Sequence, residues 1–309
     1  MNKEPIMILG FGRSGTTWVS DIISKSIGGT ILFEPMHPES LTLSRSKEYC
    51  YYAGDDPKML SDLHDHFKAM HKGDDRNKWL LRNHIGANLE SVSQAYIDSI
   101  WDNCTILGSK IIRGNFQIPW IYKNISKKIV FIRRHPCSVI SSLLNRNRFW
   151  EEYGFPFHEK KFLSETLDNS KYAHLKLKEL YPLYSSLEED WEKMTFIWAV
   201  SHKIITHDLE QLNIPIFDYE DLYLNPYVTT KKMLDYLGHT DVTLHPSYIF
   251  TPSMLTLKTF HEFSDNTDYV GNAGFRIFWK NTLDLNQENR ILTITEKVLM
   301  NQKYKILSE

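Results

Sequence analysis

Three glycines in the stretch LGFGRSGTTW, Gly10, Gly12 and Gly15, follow the apolar run IMI and precede a helical pattern. In that context a loop turns several backbone N–H groups onto a phosphate at the positive end of a helix. Two chemistries compete for it. The spacing G-x-G-x-x-G suits a dinucleotide, and Glu34, at the end of the second apolar run, falls about where a ribose-binding acid belongs. A nucleoside-triphosphate loop needs a lysine, then Ser or Thr, after its last glycine, for the phosphates and magnesium; here that lysine position is Thr16. The cation lies inside the loop at Arg13, whose guanidinium can grip phosphate or sulfate oxygens through paired hydrogen bonds and stabilise a leaving group without a metal.

A second constellation lies far downstream, in KKIVFIRRHPCSVISSLLNR, residues 127 to 146. A strand pattern ends at Arg133 and Arg134, Pro136 suits the first turn of a helix, and Ser138, Ser141 and Ser142 follow within it. A guanidinium and hydroxyls gathered at one strand end suit a second phosphate on the same nucleotide. Neither NAD nor ATP requires such a group in this form.

These residues need a scaffold. Five runs, 6–11, 30–33, 105–112, 128–133 and 214–219, read as buried parallel strands. Helical patterns over 16–26, 89–101, 136–144, 191–212 and 228–237 separate them. Strand alternating with helix predicts an α/β fold with a parallel sheet covered on both faces and its ligand beyond the carboxyl ends of the strands. That rule puts Gly10 to Thr16, Glu34, Ile112 to Gly114 and Arg133 to Pro136 on one rim. Residues 36–88 and 149–190 lack a steady period and read as insertions within a single domain spanning 1–309.

At this point the chain resembles the sulfotransferase family that uses 3′-phosphoadenosine-5′-phosphosulfate (PAPS), which supplies a third reading of the glycine loop. Arg13-Ser14-Gly15-Thr16-Thr17-Trp18 is similar to the family's 5′-phosphosulfate loop. Arg134-His135-Pro136 followed by Ser142 is similar to its 3′-phosphate motif. Tyr219-Glu220-Asp221-Leu222 resembles its Y-E-D-L segment, and Phe278-Trp279-Lys280-Asn281 its W-K-N segment. Phe33-Glu34-Pro35 with His37 resembles the carbohydrate-acting branch. The resemblance implies a P-loop-like domain with about five parallel strands flanked by helices. It implies that Ser14, Gly15, Thr16 and Thr17 hold the 5′-phosphosulfate, with Trp18 near the adenine and Tyr219 at its edge, while Arg134 and Ser142 hold the 3′-phosphate. Two positions depart from the family. Asn272-Ala273 stand before Gly274 where a basic pair often precedes W-K-N, leaving Arg276 as the substitute; and Ile112 stands where the phenol-acting branch has its base histidine, two residues beyond a strand lysine.

Sulfuryl transfer in line from a phosphate to a hydroxyl needs a general base for the acceptor and a cation at the departing bridge oxygen. Arg13 is the candidate cation, Glu34 the candidate base, His37 the second candidate base, and Lys110 a candidate to steady the sulfuryl group. The bland alternatives are a structural Glu34 paired with a cation, a packing role for His37, a solvated Lys110 and a core role for Trp18. The reading is a PAPS-dependent sulfotransferase that releases adenosine 3′,5′-bisphosphate and acts on a hydroxyl of a carbohydrate or glycolipid. Its competitors are an NAD(P)-dependent oxidoreductase and a nucleotide-binding scaffold that transfers nothing.

Composition narrows the classes further. A formal net charge of −2 over 309 residues gives no global field for nucleic acid or an anionic membrane. The three cysteines form no C-x-x-C pair or framework. His64, His66 and His71 share one polar stretch without a compact ligand spacing, so no metal is expected. With no run of about 18 apolar residues, the expectation is a chain without a membrane span, placed in the cytoplasm. The oligomeric state is left open.

Overall fold

The strand runs are among the most apolar parts of the chain, and burial follows: Met7, Ile8 and Leu9 have no exposed surface. In the computed structural model the described residues are 4–37, 40, 57–86, 89–144, 162–250, 279–280 and 282–300. Their strands are β1 (Ile6–Gly10), β2 (Thr30–Phe33), β3 (Ile106–Ile111), β4 (Ile129–Arg133) and β5 (Ile216–Asp218). The helices, in chain order, are α1 (Thr16–Ile27), α2 (Pro57–Lys72), α3 (Arg82–Ile85), α4 (Gln94–Asn103), α5 (Ile118–Asn124), α6 (Pro136–Leu144), α7 (Tyr181–Ser185), α8 (Asp190–Gln211), α9 (Tyr219–Leu224), α10 (Pro226–Tyr236), α11 (Pro246–Phe250) and α12 (Leu285–Leu299). They fall into two compact units, the first from residues up to 133 and from 214 onward to 250, the second from 134–213 and 279–300.

The first unit holds all five strands in the order β2-β3-β1-β4-β5, every neighbouring pair parallel. Each strand comes out shorter than, or equal to, its apolar run, because ladder pairing ends before the hydrophobic residues do. One face of the sheet packs on α1 through Val19, Ile22 and Ile23, with Ile8 and Val130 beneath them. Full burial of such side chains contributes roughly 1.5–3 kcal/mol each. Parallel pairing leaves Phe11, Glu34 and Ile112 one step past their strands at the same edge, as the sequence predicts for that part of the rim, and Tyr219 follows β5 there as well.

Two elements depart from the sequence expectation. The helix expected from Leu89 begins at Gln94, where the Ser93 hydroxyl accepts the Tyr96 N–H at 3.3 Å and caps it. The segment 36–88, expected to lack a period, contains α2, with Leu63, Phe67 and Met70 buried on one face. Its His, Asp and Lys residues on the other face hide that stripe. His66 Nε2 donates to the Pro35 carbonyl at 2.9 Å, and His71 Nε2 shares a 2.9 Å hydrogen bond with Ser109 Oγ of β3. Thus α2 ties the loop after β2 to the neighbouring strand.

In the second unit, α8 packs against α12, with Lys203 Nζ donating to the Val298 carbonyl at 2.8 Å and Arg290 Nε to Glu192 Oε1 at 2.5 Å. At the start of α8, Glu189 and Glu192 form a reciprocal capping box. No helix among the described residues is long and apolar enough to cross a membrane.

Candidate active site

The glycine loop is braced from within. Ser14 is fully buried, and both its N–H (3.1 Å) and its hydroxyl (2.6 Å) donate to the Phe11 carbonyl. Asn115 Nδ2 donates at 3.1 Å to the carbonyls of both Gly10 and Ile112, tying the loop to the end of β3. Asn115 was not singled out by its spacing; its only signal was a polar side chain just past the Ile112–Gly114 rim. Gly15 caps the start of α1, has φ 88° and brings no side-chain acceptor to the first turn. The N–H groups of that turn are therefore available to an anion. The Tyr219 ring lies over Gly15 and meets Trp18 edge to face at 5.7 Å. Trp18 is 9% exposed and belongs to the α1-side core, the packing position that was the alternative to an adenine contact.

One strand away is a buried charge cluster. Register sets Lys110 beside Phe33; Glu34 follows, its N–H donating to the Lys110 carbonyl at 2.9 Å, and with φ 46° it leaves the strand conformation and meets the Lys110 side chain. Glu34 Oε1 accepts from Lys110 Nζ, Oε2 accepts from the Ile112 N–H at 3.1 Å, and Arg113 Nη1 stands 3.9 Å from Oε2. Glu34 and Lys110 are 1% and 2% exposed, so the solvated strand-end lysine is excluded. Burial lowers the pKa of Lys110 and the Glu34 carboxylate opposes it. Each carboxylate oxygen keeps a lone pair after these bonds. Ile112 joins this cluster to the loop, since its side chain is the nearest group to the Gly12 Cα face.

Arg13 (φ 72°) and Glu34 (φ 46°) both occupy the left-handed region without being glycine. Such strain costs about 1–2 kcal/mol per residue and tends to gather at functional sites. His37 closes the turn after Glu34, its N–H donating to the Glu34 carbonyl at 2.9 Å, and its ring stacks on Trp79 at 3.8 Å. Burial, then the charges of Arg113, Arg82 and Lys110, push its pKa down to about 2. The imidazole is therefore neutral and a weak proton acceptor at neutral pH.

Asp21, one turn along α1 from Thr17, is half-buried, and burial raises its pKa to about 6 against the opposing charges of Lys25 and Lys110. A carboxyl whose folded pKa exceeds its unfolded value contributes stability below the unfolded pKa and loses it as pH rises through the folded one. Asp21→Asn is accordingly expected to stabilise the protein at pH 7.5 by on the order of 1–3 kcal/mol and to have little effect at pH 3.5. Urea titrations at the two pH values check this; a pH-independent effect would refute it.

The second-phosphate residues divide at Arg133. Arg133 is bound by Asp218 through two hydrogen bonds, Nε to Oδ1 at 2.6 Å and Nη2 to Oδ2 at 2.9 Å, which fasten β4 to β5. Arg134 and Ser142 lie in the second unit, both half-buried, flanking and within α6. His135 stacks on Trp279 at 4.7 Å with the rings nearly parallel, and Trp279 Nε1 donates to Glu288 at 3.2 Å. Within this unit two motifs 144 positions apart in the chain meet. Burial, then Arg134, lowers the His135 pKa to about 4, so that ring is neutral. Gly274 and Arg276 lie outside the described residues. Among the described residues no group of three or more His, Cys, Asp and Glu could hold a metal ion.

A family model described as "Sulfotransferase family" matches residues 5–242. Among solved structures, the sulfotransferase domain from the curacin biosynthetic pathway is 18% identical, with a TM-score of 0.45 over 95% of this chain and 96% of that one. The sulfotransferase domain from the Synechococcus PCC 7002 olefin synthase is 15% identical, with a TM-score of 0.41 over 95% of this chain and 94% of that one. A search of curated proteins found no match.

Proposed function

The chain belongs to the sulfotransferase family, whose enzymes draw on PAPS, and from that premise we propose that it transfers a sulfuryl group to a carbohydrate hydroxyl with Glu34 as the general base. The carrying observation is the buried Glu34–Lys110 pair, joined through Ile112 to the glycine loop. The loop suits the donor: the α1 N-terminus offers uncapped N–H groups, and Arg13 supplies a cation beside them. In our reading the first-turn N–H groups and the hydroxyls of Thr16 and Thr17 hold the 5′-phosphosulfate with Gly15, Ser14 shapes the loop around it through its two bonds to the Phe11 carbonyl, and Tyr219 faces the adenine with Trp18 packed behind it. Arg134 and Ser142 bind the 3′-phosphate, and Gly274 and Arg276 complete nucleotide binding.

The acceptor oxygen forms a bond to sulfur as the sulfur–bridge oxygen bond breaks. The acceptor proton passes to Glu34, and the bond's electron pair leaves on the phosphate of adenosine 3′,5′-bisphosphate, where Arg13 stabilises the charge. Lys110, held on Glu34, steadies the sulfuryl oxygens. Glu34 suits the base role better than His37, whose surroundings hold it neutral and weakly basic. The carbohydrate acceptor is supported by the likeness of Phe33-Glu34-Pro35 with His37 to the carbohydrate-acting branch; in this segment the Trp79 ring meets Phe33 edge to face at 5.7 Å and His37 face to face at 3.8 Å.

Labelled PAPS and a panel of glycoside, phenol and alcohol acceptors test the reading. One labelled carbohydrate per adenosine 3′,5′-bisphosphate released is expected; label only on phenols or simple alcohols removes the carbohydrate, and nucleotide binding without any label removes transfer. Arg134→Ala is expected to weaken adenosine 3′,5′-bisphosphate by about 10- to 100-fold, the range for a lost charge-assisted hydrogen bond. Calorimetry gives that number, and an unchanged Kd would remove Arg134 from the site.

A further inference from the structure

Arg82 starts α3 immediately after the 3-10 turn Lys78–Leu81, which Asn77 caps by accepting the Trp79 N–H at 2.8 Å. Its guanidinium is held against rings, 4.5 Å from the Trp79 centroid and 5.8 Å from that of Phe33. Its Nε is buried without a hydrogen-bond partner, and no carboxylate among the described residues lies within 4.0 Å of it. Other arginines are matched: Arg133 has Asp218, Arg76 has Asp102 and Arg290 has Glu192. A half-buried guanidinium stacked in place with buried donor capacity unused favours an oxyanion that supplies the missing acceptors.

The local charge points the same way. Lys110, Arg113 and Arg82 all act on His37; of the carboxylates facing them, Asp21 and Glu34 both act on Lys110, and Glu34 is already shared with Lys110 and the Ile112 N–H. The position separates this anion from the donor phosphates. Arg82 stacks on the edge strand through Phe33, and the glycine loop leaves β1 two strands away, about 10 Å at ordinary strand spacing.

We propose that Arg82 reads an anionic group on the acceptor, a carboxylate, sulfate ester or phosphate carried near the hydroxyl to be sulfated. This rests on the sulfotransfer reading of the site and narrows its substrate class. Trp79 orients the guanidinium, and the Phe33 ring links it to the base: Arg82 and Lys110 both lie against that ring, 5.8 and 3.7 Å from its centroid, and Lys110 is bonded to Glu34.

The test uses acceptor pairs that differ only in a carboxylate or its methyl ester, drawn from hexuronosides, phenolic acids and aliphatic hydroxy acids, with labelled PAPS. The acid form is expected to be preferred by about 10- to 100-fold in kcat/KM. Arg82→Gln should collapse that ratio towards one, and Arg82→Lys should keep part of it, because it retains the charge without the planar fork. Equal use of acid and ester by the unaltered protein overturns the proposal. So does an Arg82→Gln variant with the ratio intact and a raised KM for PAPS, which would put the residue on the donor. Label confined to non-sugar acids removes the carbohydrate acceptor and leaves the role of Arg82 standing. If none of the pairs is labelled, inorganic sulfate is titrated into protein saturated with adenosine 3′,5′-bisphosphate. There Arg82→Gln should weaken sulfate about tenfold, and equal affinities overturn the proposal.

Discussion

Glu34→Gln is expected to cut turnover by about 10²- to 10⁴-fold, the usual contribution of a positioned general base. The same change removes the anion facing Lys110, which is 2% exposed. Breaking one side of a buried ion pair commonly costs about 3–5 kcal/mol, because the remaining charge stays out of water. Lost activity alone is therefore ambiguous between chemistry and folding. The double variant Glu34→Gln with Lys110→Met separates them: it removes the stranded ammonium and should recover most of the stability. Turnover should stay low, because the base is still absent. Urea midpoints, adenosine 3′,5′-bisphosphate affinity and labelled-sulfate turnover on the unaltered protein, the two single variants and the double variant form the cycle. Recovery of turnover together with stability would mean that Glu34 is a counter-ion only.

The glycine loop carries the second large effect. Gly15 has φ 88°, and a methyl group there would come within 2.3 Å of the Tyr219 ring, which is itself packed against Trp18. Left-handed geometry costs a residue with a Cβ about 1–2 kcal/mol, and overpacking adds about 1–3 kcal/mol. Gly15→Ala should destabilise the protein by a sum of that order, roughly 2–5 kcal/mol. At Gly10 the added Cβ would stand 2.7 Å from the Ile132 carbonyl oxygen, so Gly10→Ala should also be costly. At Gly12 the nearest atom is Ile112 Cδ1 at 3.8 Å, an ordinary contact, and Gly12→Ala should change stability by less than about 0.5 kcal/mol. Denaturation midpoints without nucleotide measure all three. A Gly12→Ala variant as unstable as Gly15→Ala would show that the loop is built otherwise than described.

That contrast marks the limit of the fingerprint. As letters, the three glycines were equivalent and fitted a dinucleotide loop as well as a phosphosulfate loop. The structure distinguishes them by what surrounds each one: a carbonyl at Gly10, a ring at Gly15, and only a side-chain tip at Gly12. The roles weighed for Glu34, Lys110 and His37 were likewise left open by residue type. A strand-end lysine is solvated or buried according to which strands flank it, and β3 lies between β2 and β1. The periodicity of α2 was hidden because its apolar stripe is narrow and its other face crowded with His, Lys and Asp.

By itself, the sequence determined the parallel α/β fold, the loop that would face an anion, and the likeness to sulfotransferases. It did so because strand hydrophobicity, glycine punctuation and motif spacing are local, and parallel strands leave little freedom over where their carboxyl ends lie. Only the tertiary structure decided that Glu34 shares its charge with Lys110 and that Asn115 ties the loop to β3. It alone placed His135 on Trp279 and Arg82 on aromatic rings with no carboxylate among the described residues. Apart from the contact of Arg82 with Trp79, three residues before it, these are meetings between residues distant in the chain, set by strand register and packing, and no local pattern encodes them.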